Sequence, residues 1–203
     1  LIEKLCNLTR FDIDNGPYFI GSYLTHIVES RFREPNWNPN DLDIICRNRI
    51  QMYKLKRIFN PICTFYQERD IESRNLFNLD TLYMTWIIDD VKINAAIEDN
   101  NAMGHSIISD YTVNSFVSDG STHLYQDTAL DDVKNKILRF GTKPVAFSAK
   151  FYTQDIVDYV LINPYNKYID RGYVDIDYNS KKRIIDFIRK NTDFSNLVTK
   201  LSV

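Results

Sequence analysis

The sequence predicts an α+β fold, a mixed sheet of short strands with flanking helices and a helical C-terminal third. Three observations predict it. Up to Leu130, short apolar runs bounded by turn residues alternate with apolar residues at three- and four-residue steps. Thr81 to Ile88 and Val91 to Ile97 are two strand-like runs joined as a hairpin through Asp89-Asp90. Beyond Leu130, Asp131 to Ile137, Pro144 to Leu161 and Ser180 to Lys190 all carry helical spacing.

In chain order, Pro17-Tyr18-Phe19-Ile20 predicts a short buried strand ended by Gly21-Ser22. A helix follows from Tyr23, with Leu24, Ile27, Val28 and Phe32 on its apolar face. Pro35 to Asn40 is a turn-rich loop, and Leu42, Ile44 and Ile45 form a second strand. Arg47 to Phe59 predicts a helix with Met52, Leu55, Ile58 and Phe59 inward and Arg49, Lys54, Lys56 and Arg57 outward. The turn Ser118-Asp119-Gly120-Ser121 predicts a further strand pair around it.

The 203 residues suit one sizeable domain, or a domain with a small appendage, and the 44% apolar, 26% charged composition is that of a soluble globular chain. No run approaches the roughly 18 apolar residues of a membrane span, so no membrane partner is expected. Cys6, Cys46 and Cys63 are too few and too irregular for a disulfide framework or a zinc site, and the expected setting is a reducing cytoplasm. A net charge of −2 argues against a surface given over wholly to nucleic acid. The Asn-, Ile- and Tyr-rich composition points to an AT-rich genome such as a viral one. His26, His105 and His123 lack the spacing of a metal trio.

One constellation carries chemistry. Strand side chains alternate, so Asp41 and Asp43 project to one face while Leu42 and Ile44 take the other. Carboxylates so placed repel each other unless a cation lies between them, and Mg²⁺ bridges such carboxylates to phosphates. Gly21 allows close backbone approach to a phosphate. Ser22 adds a hydroxyl at a helix N-terminus, whose free N–H groups favour the same anion. Asp-x-Asp alone is more often a solvated strand end; it is the ordered set of strand, Gly-Ser, helix, loop and Asp-x-Asp strand that is distinctive.

Phe19-Ile20-Gly21-Ser22 followed by Asp41-Leu42-Asp43-Ile44 resembles the signature of the DNA polymerase β-type nucleotidyltransferase superfamily. Asp110 to Asp119 (DYTVNSFVSD) is similar to the "RRDFTINALAYD" segment of the tRNA CCA-adding and bacterial poly(A) polymerase branch. Leu130 to Phe140 resembles that branch's "GLEDLKNKxLR" run, and Val145 to Phe151 its "RAxRFAxRLGF" helix. The likeness covers roughly residues 17 to 152.

The resemblance implies a polymerase β palm-like fold, with a nucleotidyltransferase core over 1–140 and a helical C-terminal subdomain over 141–203. It implies that Asp41 and Asp43 ligate catalytic Mg²⁺, or Mn²⁺, and that Gly21 and Ser22 hold a triphosphate. Asp110 and Asn114 would contact the nucleotide sugar and order the site, supported by Thr112. Asp110, Asp89 and Asp90 are candidates for a third catalytic carboxylate. Without the resemblance, Asp110 to Asn114 reads as a strand with polar residues on one face.

The chain departs from the pattern at several places. Ile108 and Ser109 stand where the branch has two arginines, Pro35 to Asn40 lengthens the link to Asp41, and the strand expected to carry a third carboxylate reads Val91-Lys92-Ile93-Asn94. The basic cluster Arg47, Arg49, Lys54, Lys56 and Arg57 is better read as a solvated helix face than as a nucleic-acid contact. Tyr66, Tyr83 and Tyr111 are candidates to stack a base, against the plainer reading that they are core. The expected activity is transfer of a nucleoside monophosphate from an NTP to an acceptor hydroxyl, with an RNA 3′ end as the leading partner. The alternatives are transfer to a protein or small molecule, and a degenerate nucleotide-binding scaffold. Base preference and oligomeric state are not readable from the sequence.

Overall fold

The computed structural model describes residues 1–71, 81–98, 101–142, 153–176 and 179–201. Helix α1 (Ile2–Leu8) precedes β1 (Tyr18–Ile20), α2 (Ser22–Glu29), β2 (Asp41–Cys46) and α3 (Arg49–Phe59). Strands β3 (Phe65–Ile71), β4 (Thr81–Ile88) and β5 (Val91–Ile97) lead to α4 (Ala102–Ile108) and a 3-10 turn at Thr112–Asn114. Then come β6 (Val117–Ser118), β7 (His123–Leu124), α5 (Ala129–Asn135) and β8 (Ile137–Leu138). Helix α6 (Gln154–Val157) continues through a π-helical stretch, Asp158–Ile162, into α7 (Asn163–Asp170). The described chain closes with β9 (Val174–Asp175), α8 (Asn179–Asn191) and a 3-10 stretch at Ser195–Lys200.

Seven strands form one mixed sheet in the order β3-β4-β5-β2-β1-β6-β7. Among the described residues only its β2–β5 contact is parallel, with Asp41 opposite Lys92 and Asp43 opposite Asn94. The β4–β5 hairpin turns at Asp89 and Asp90, both at positive φ, the backbone a two-residue primed turn requires. Its connection and register agree with the alternation of apolar residues in the sequence.

The two faces of β2 are covered differently. Leu42, Ile44 and Cys46 pack with Leu24 and Val28 of α2 and Met52, Leu55 and Phe59 of α3 in the main core. Ile45 lies on the opposite face, in a smaller cluster with Tyr18, Ala96, Ala102 and Val117. Helix α4 therefore covers the Ile45 end of that face. The end bearing Asp41 and Asp43 lies beyond it.

Several elements depart from the sequence expectation, each for a visible reason. Strand β3 is unexpected, because Gln67, Glu68, Arg69 and Asp70 break the apolar pattern; it is an edge strand, where charged side chains are at home. Helix α2 stops at Glu29, so Phe32 lies outside it and is exposed. Lys136 takes the left-handed conformation, φ 56°, and ends α5; Ile137 leaves the helix and pairs in β8 with Val174. Asp110 to Asn114 is not a strand: Tyr111 makes one isolated bridge to Phe140 before the 3-10 turn. Helices α1 and α4 are also additions to the expected set, being short at seven residues each. Of the helix expected over Pro144 to Leu161, residues 144–152 lie outside the described residues, as does Val145 to Phe151.

The π-helical stretch has a local cause. Pro164, in the first turn of α7, has no N–H to return to the carbonyl of residue 160, and the Asn163 N–H instead reaches back five residues to the Asp158 carbonyl. Tyr165 and Tyr168 of α7, with Ile184 and Ile188 of α8, belong to the same buried cluster as Leu42 and Ile44. This packing sets the helix carrying Tyr159 and Lys167 beside the sheet.

Candidate nucleotide and metal site

A cleft of about 850 Å³ opens over the sheet face that bears Asp41 and Asp43, within the range of small-molecule sites. Its floor follows from strand alternation. Asp41 and Asp43 of β2 lie across from Lys92 and Asn94 of β5; Ile87 and Thr85 of β4 continue the two rows, ending at Phe65 and Gln67 of β3. Tyr83 and Arg69 add a further row at the side, and all of these residues line the cleft. Tyr159 and Lys167 from the C-terminal helical segment complete the lining.

The carboxylates are held by an amide. Asn94 Nδ2 donates to Asp41 Oδ2 at 2.9 Å and to Asp43 Oδ1 at 3.1 Å, while its Oδ1 accepts from Thr85 Oγ1 at 3.1 Å. Lys92 Nζ stands 4.0 Å from Asp41 Oδ2. Burial and then the charge of Asp41 push Asp43 up to about 6, against the opposing pull of Asn94, Lys167 and Lys92. Lys167 is itself lowered by burial and by the charge of Arg171, with Asp41 and Asp43 working the other way. Three cations, Arg69, Lys92 and Lys167, thus share a cleft with two carboxylates.

Gly21 caps the N-terminus of α2 at φ 85°, ψ −168°, a conformation essentially reserved for glycine. A Cβ there would stand 2.7 Å from Asp43 Oδ2. Strand β1 therefore delivers the Gly-Ser turn directly against the second carboxylate. Gly21→Ala should cost about 1–3 kcal/mol of stability from backbone strain, read by urea denaturation, and should displace the Asp43 carboxylate. A variant as stable as the parent would show that the turn relaxes at no cost.

The other expected site residues are placed differently. Ser22 begins α2 and is buried. Asp110, Thr112 and Asn114 are not among the residues lining the cleft. Thr112 Oγ1 donates to the buried Asp132 Oδ2 at 2.7 Å, a structural bond joining the 3-10 turn to α5. Thr25 Oγ1 of α2 donates to the Val113 carbonyl at 2.6 Å. Tyr111 stacks on Phe140 and meets Tyr168, the neighbour of Lys167. The segment is thus tied to both α2 and α7. Asn114 Oδ1 is buried and has no hydrogen-bond partner among the described residues.

Asp89 pairs with Lys4 at 2.6 Å on the surface of the hairpin turn. Among the described residues, no group of three acidic, histidine or cysteine side chains is arranged to hold a metal ion. Of the three tyrosines considered as base-stackers, Tyr83 lines the cleft and is 39% exposed, whereas Tyr111 is core. Sequence reasoning missed Gln67, Arg69, Thr85, Tyr159 and Lys167. Gln67 and Arg69 lie where charged and polar residues hide strand β3 from the sequence pattern; no local signal marks Lys167, whose position depends on how α7 packs.

No family model matches the sequence, and no curated protein matches it. Thirteen chains of solved structures do match, among them the Thermotoga maritima CCA-adding enzyme complexed with tRNA-CCA. The TM-score is 0.53 at 11% identity, over 87% of this chain and 40% of that one. The fold is nucleotidyltransferase-like. The chain spans 40% of the length of the enzyme it matches. In this nucleotidyltransferase-like sheet, Asp41 and Asp43 sit at the open end of the strand parallel to β5, beside the Gly21 turn. No helix among the described residues is long and apolar enough to cross a membrane.

Proposed function

We propose that this chain is a nucleotidyltransferase that moves a nucleoside monophosphate from an NTP to an acceptor hydroxyl and releases pyrophosphate, with an RNA 3′ end as the acceptor. The observation that carries this reading is the convergence of Asp41 and Asp43 on one sheet face, abutting the Gly21 backbone and flanked by Lys92 and Lys167 in one cleft. The nucleotidyltransferase-like fold supports it.

The donor set fits a hard divalent cation. Two carboxylates share a face of one cleft, and hard oxygen donors so placed suit a divalent cation. Asp41 and Asp43 would hold Mg²⁺, or Mn²⁺ in its place. When bound, the ion would supply Lewis-acid stabilisation of the negative charge on the phosphoryl oxygens during transfer. Lys92, Lys167 and Arg69 would neutralise the triphosphate, taking the part of the arginines that Ile108 and Ser109 replace. The Gly21-Ser22 turn would offer α2's free N–H groups to the same anion. Tyr83 and Tyr159 present exposed rings at the cleft, where a base would stack. The nucleotide-sugar role of Asp110 and Asn114 rests on the sequence resemblance alone, since neither lines the cleft.

A second reading, a nucleotide-binding scaffold without transfer activity, draws on Lys92 and Asn94 occupying the strand where a third carboxylate would stand. The two readings separate on incubation with labelled NTPs, Mg²⁺ and total RNA, using Asp41→Ala/Asp43→Ala as the control. Label in RNA that the double variant does not produce is the expected result. Label in protein would redirect the assignment to a protein acceptor. No transfer to any acceptor, with unimpaired NTP binding in the variant, would establish the scaffold.

A further inference from the structure

Asn94 sets a neutral amide against both carboxylates of the cleft. It lies opposite Asp43 in the β2–β5 register, and its Nδ2 reaches both carboxylates at once, at 2.9 and 3.1 Å. The amide therefore occupies the space between the two groups that a cation would bridge. A bound cation must either displace this side chain or find an oxygen on it.

We propose that Asn94 is the third protein ligand of the cation held by Asp41 and Asp43, and that it becomes one by turning its amide through a half-rotation. This rests on the divalent-cation reading of the cleft. The two ends of an amide are close to the same size, so the turn exchanges a donor for an acceptor with almost no change in shape. Oδ1 then faces the carboxylates, a hard neutral oxygen of the kind Mg²⁺ and Mn²⁺ accept.

Thr85 makes the exchange feasible. Its hydroxyl now donates to Asn94 Oδ1 at 3.1 Å. A hydroxyl both donates and accepts, so after the turn Thr85 Oγ1 takes a hydrogen bond from Nδ2, and the amide keeps a partner at its outer end in both states. At the inner end the states differ. Without a cation, Oδ1 beside two carboxylates is repulsive and the donor end is preferred; with a cation between them, the acceptor end is preferred. The amide thus fills the gap with N–H groups while the carboxylates are alone and supplies an oxygen when a cation arrives. The formal charge of the ligand set stays at that of two carboxylates, which one divalent ion neutralises.

The test uses the full chain and Mn²⁺ alone, without nucleotide, measured by the loss of the free-ion paramagnetic resonance signal. Asn94→Ala is expected to bind Mn²⁺ about tenfold or more weakly than the parent, and Asn94→Asp more tightly. Mn²⁺ binding by Asn94→Ala equal to or tighter than the parent's would overturn the proposal, because the amide would then be a bystander or a competitor. A parent that binds no Mn²⁺ while its fold is intact would defeat the cation reading itself, a distinguishable outcome. Should Asn94→Ala not fold, the side-chain amide resonances of Asn94 in the parent decide, identified by their absence in Asn94→Asp. Mg²⁺ is expected to shift them as the bonds to the carboxylates are lost, and resonances unmoved at saturating Mg²⁺ would overturn the proposal.

Discussion

Asp43→Asn is expected to abolish the nucleotidyl transfer proposed above and, at neutral pH without divalent cations, to make the protein more stable. On the proposed function Asp43 would be a metal ligand, and its removal should lower the transfer rate about a thousandfold or more. The stability gain has a separate origin. Burial and the charge of Asp41 raise Asp43 from 3.8 to about 6, so the folded chain holds that proton more tightly than the unfolded chain does. The stability this confers is fully present below pH 3.8 and is lost as the pH rises through about 6. A shift of about two pKa units corresponds to roughly 3 kcal/mol. The substituted amide would carry no charge at any pH and would still accept from Asn94 Nδ2. The variant should therefore exceed the parent in urea resistance at pH 7.5 by up to that amount, with the gap closing below about pH 4. Adding Mg²⁺ should stabilise the parent selectively. A variant less stable than the parent at pH 7.5 would mean that Lys92 and Lys167 already over-compensate the carboxylates.

Lys136→Met is expected to cost about 3–5 kcal/mol, the penalty for stranding a buried charge. Glu29, at the end of α2, is completely buried, and Lys136 Nζ lies 2.5 Å from its Oε1. The other oxygen, Oε2, accepts from Trp37 Nε1 at 3.1 Å and from Tyr173 OH at 3.0 Å. Lys136 also sits 4.5 Å from the Tyr173 ring centroid and donates to the Arg171 carbonyl at 2.8 Å. Arg171 in turn covers the Trp37 ring at 3.5 Å. The cluster joins α2, the loop before β2, the end of α5 and the turn after α7. Since a domain of this kind is stable by only about 5–15 kcal/mol, the single variant should be largely destabilised in urea. Glu29→Gln combined with Lys136→Met should recover most of the loss, because the stranded charge is gone. A single-variant cost below about 1 kcal/mol would show that Trp37 and Tyr173 alone solvate the carboxylate. The cluster also bears on the cleft. It fixes the turn just beyond Lys167, so loosening it should weaken the proposed triphosphate binding in parallel with stability.

Much of the sheet was legible because local chemistry and tertiary placement agree there. Asp89-Asp90 between two β-rich runs has few backbone solutions other than a tight hairpin turn. Gly21 followed by helical spacing marked a turn that the positive φ confirms. Where the two levels disagree, the pattern misled. In β3 an edge position tolerates charge that a central strand would not, and Lys136 took a left-handed backbone that gives Ile137 to a strand. Asp110 to Asn114 has apolar–polar alternation, yet its hydroxyl and backbone bonds run to Asp132, to Arg139 and to Thr25 of α2 rather than along a ladder.

That Asp41 and Asp43 share a face follows from their spacing, because strand alternation is a local property; that Gly21 can approach closely follows from its lack of a Cβ. What meets them is a matter of packing. The parallel β2–β5 register brings Asn94 between the carboxylates and Lys92 beside Asp41. The docking of α7 through Tyr165 and Tyr168 brings Lys167 from more than a hundred residues away. Such placements come from burial of apolar area summed over many contacts, which no short run of residues encodes.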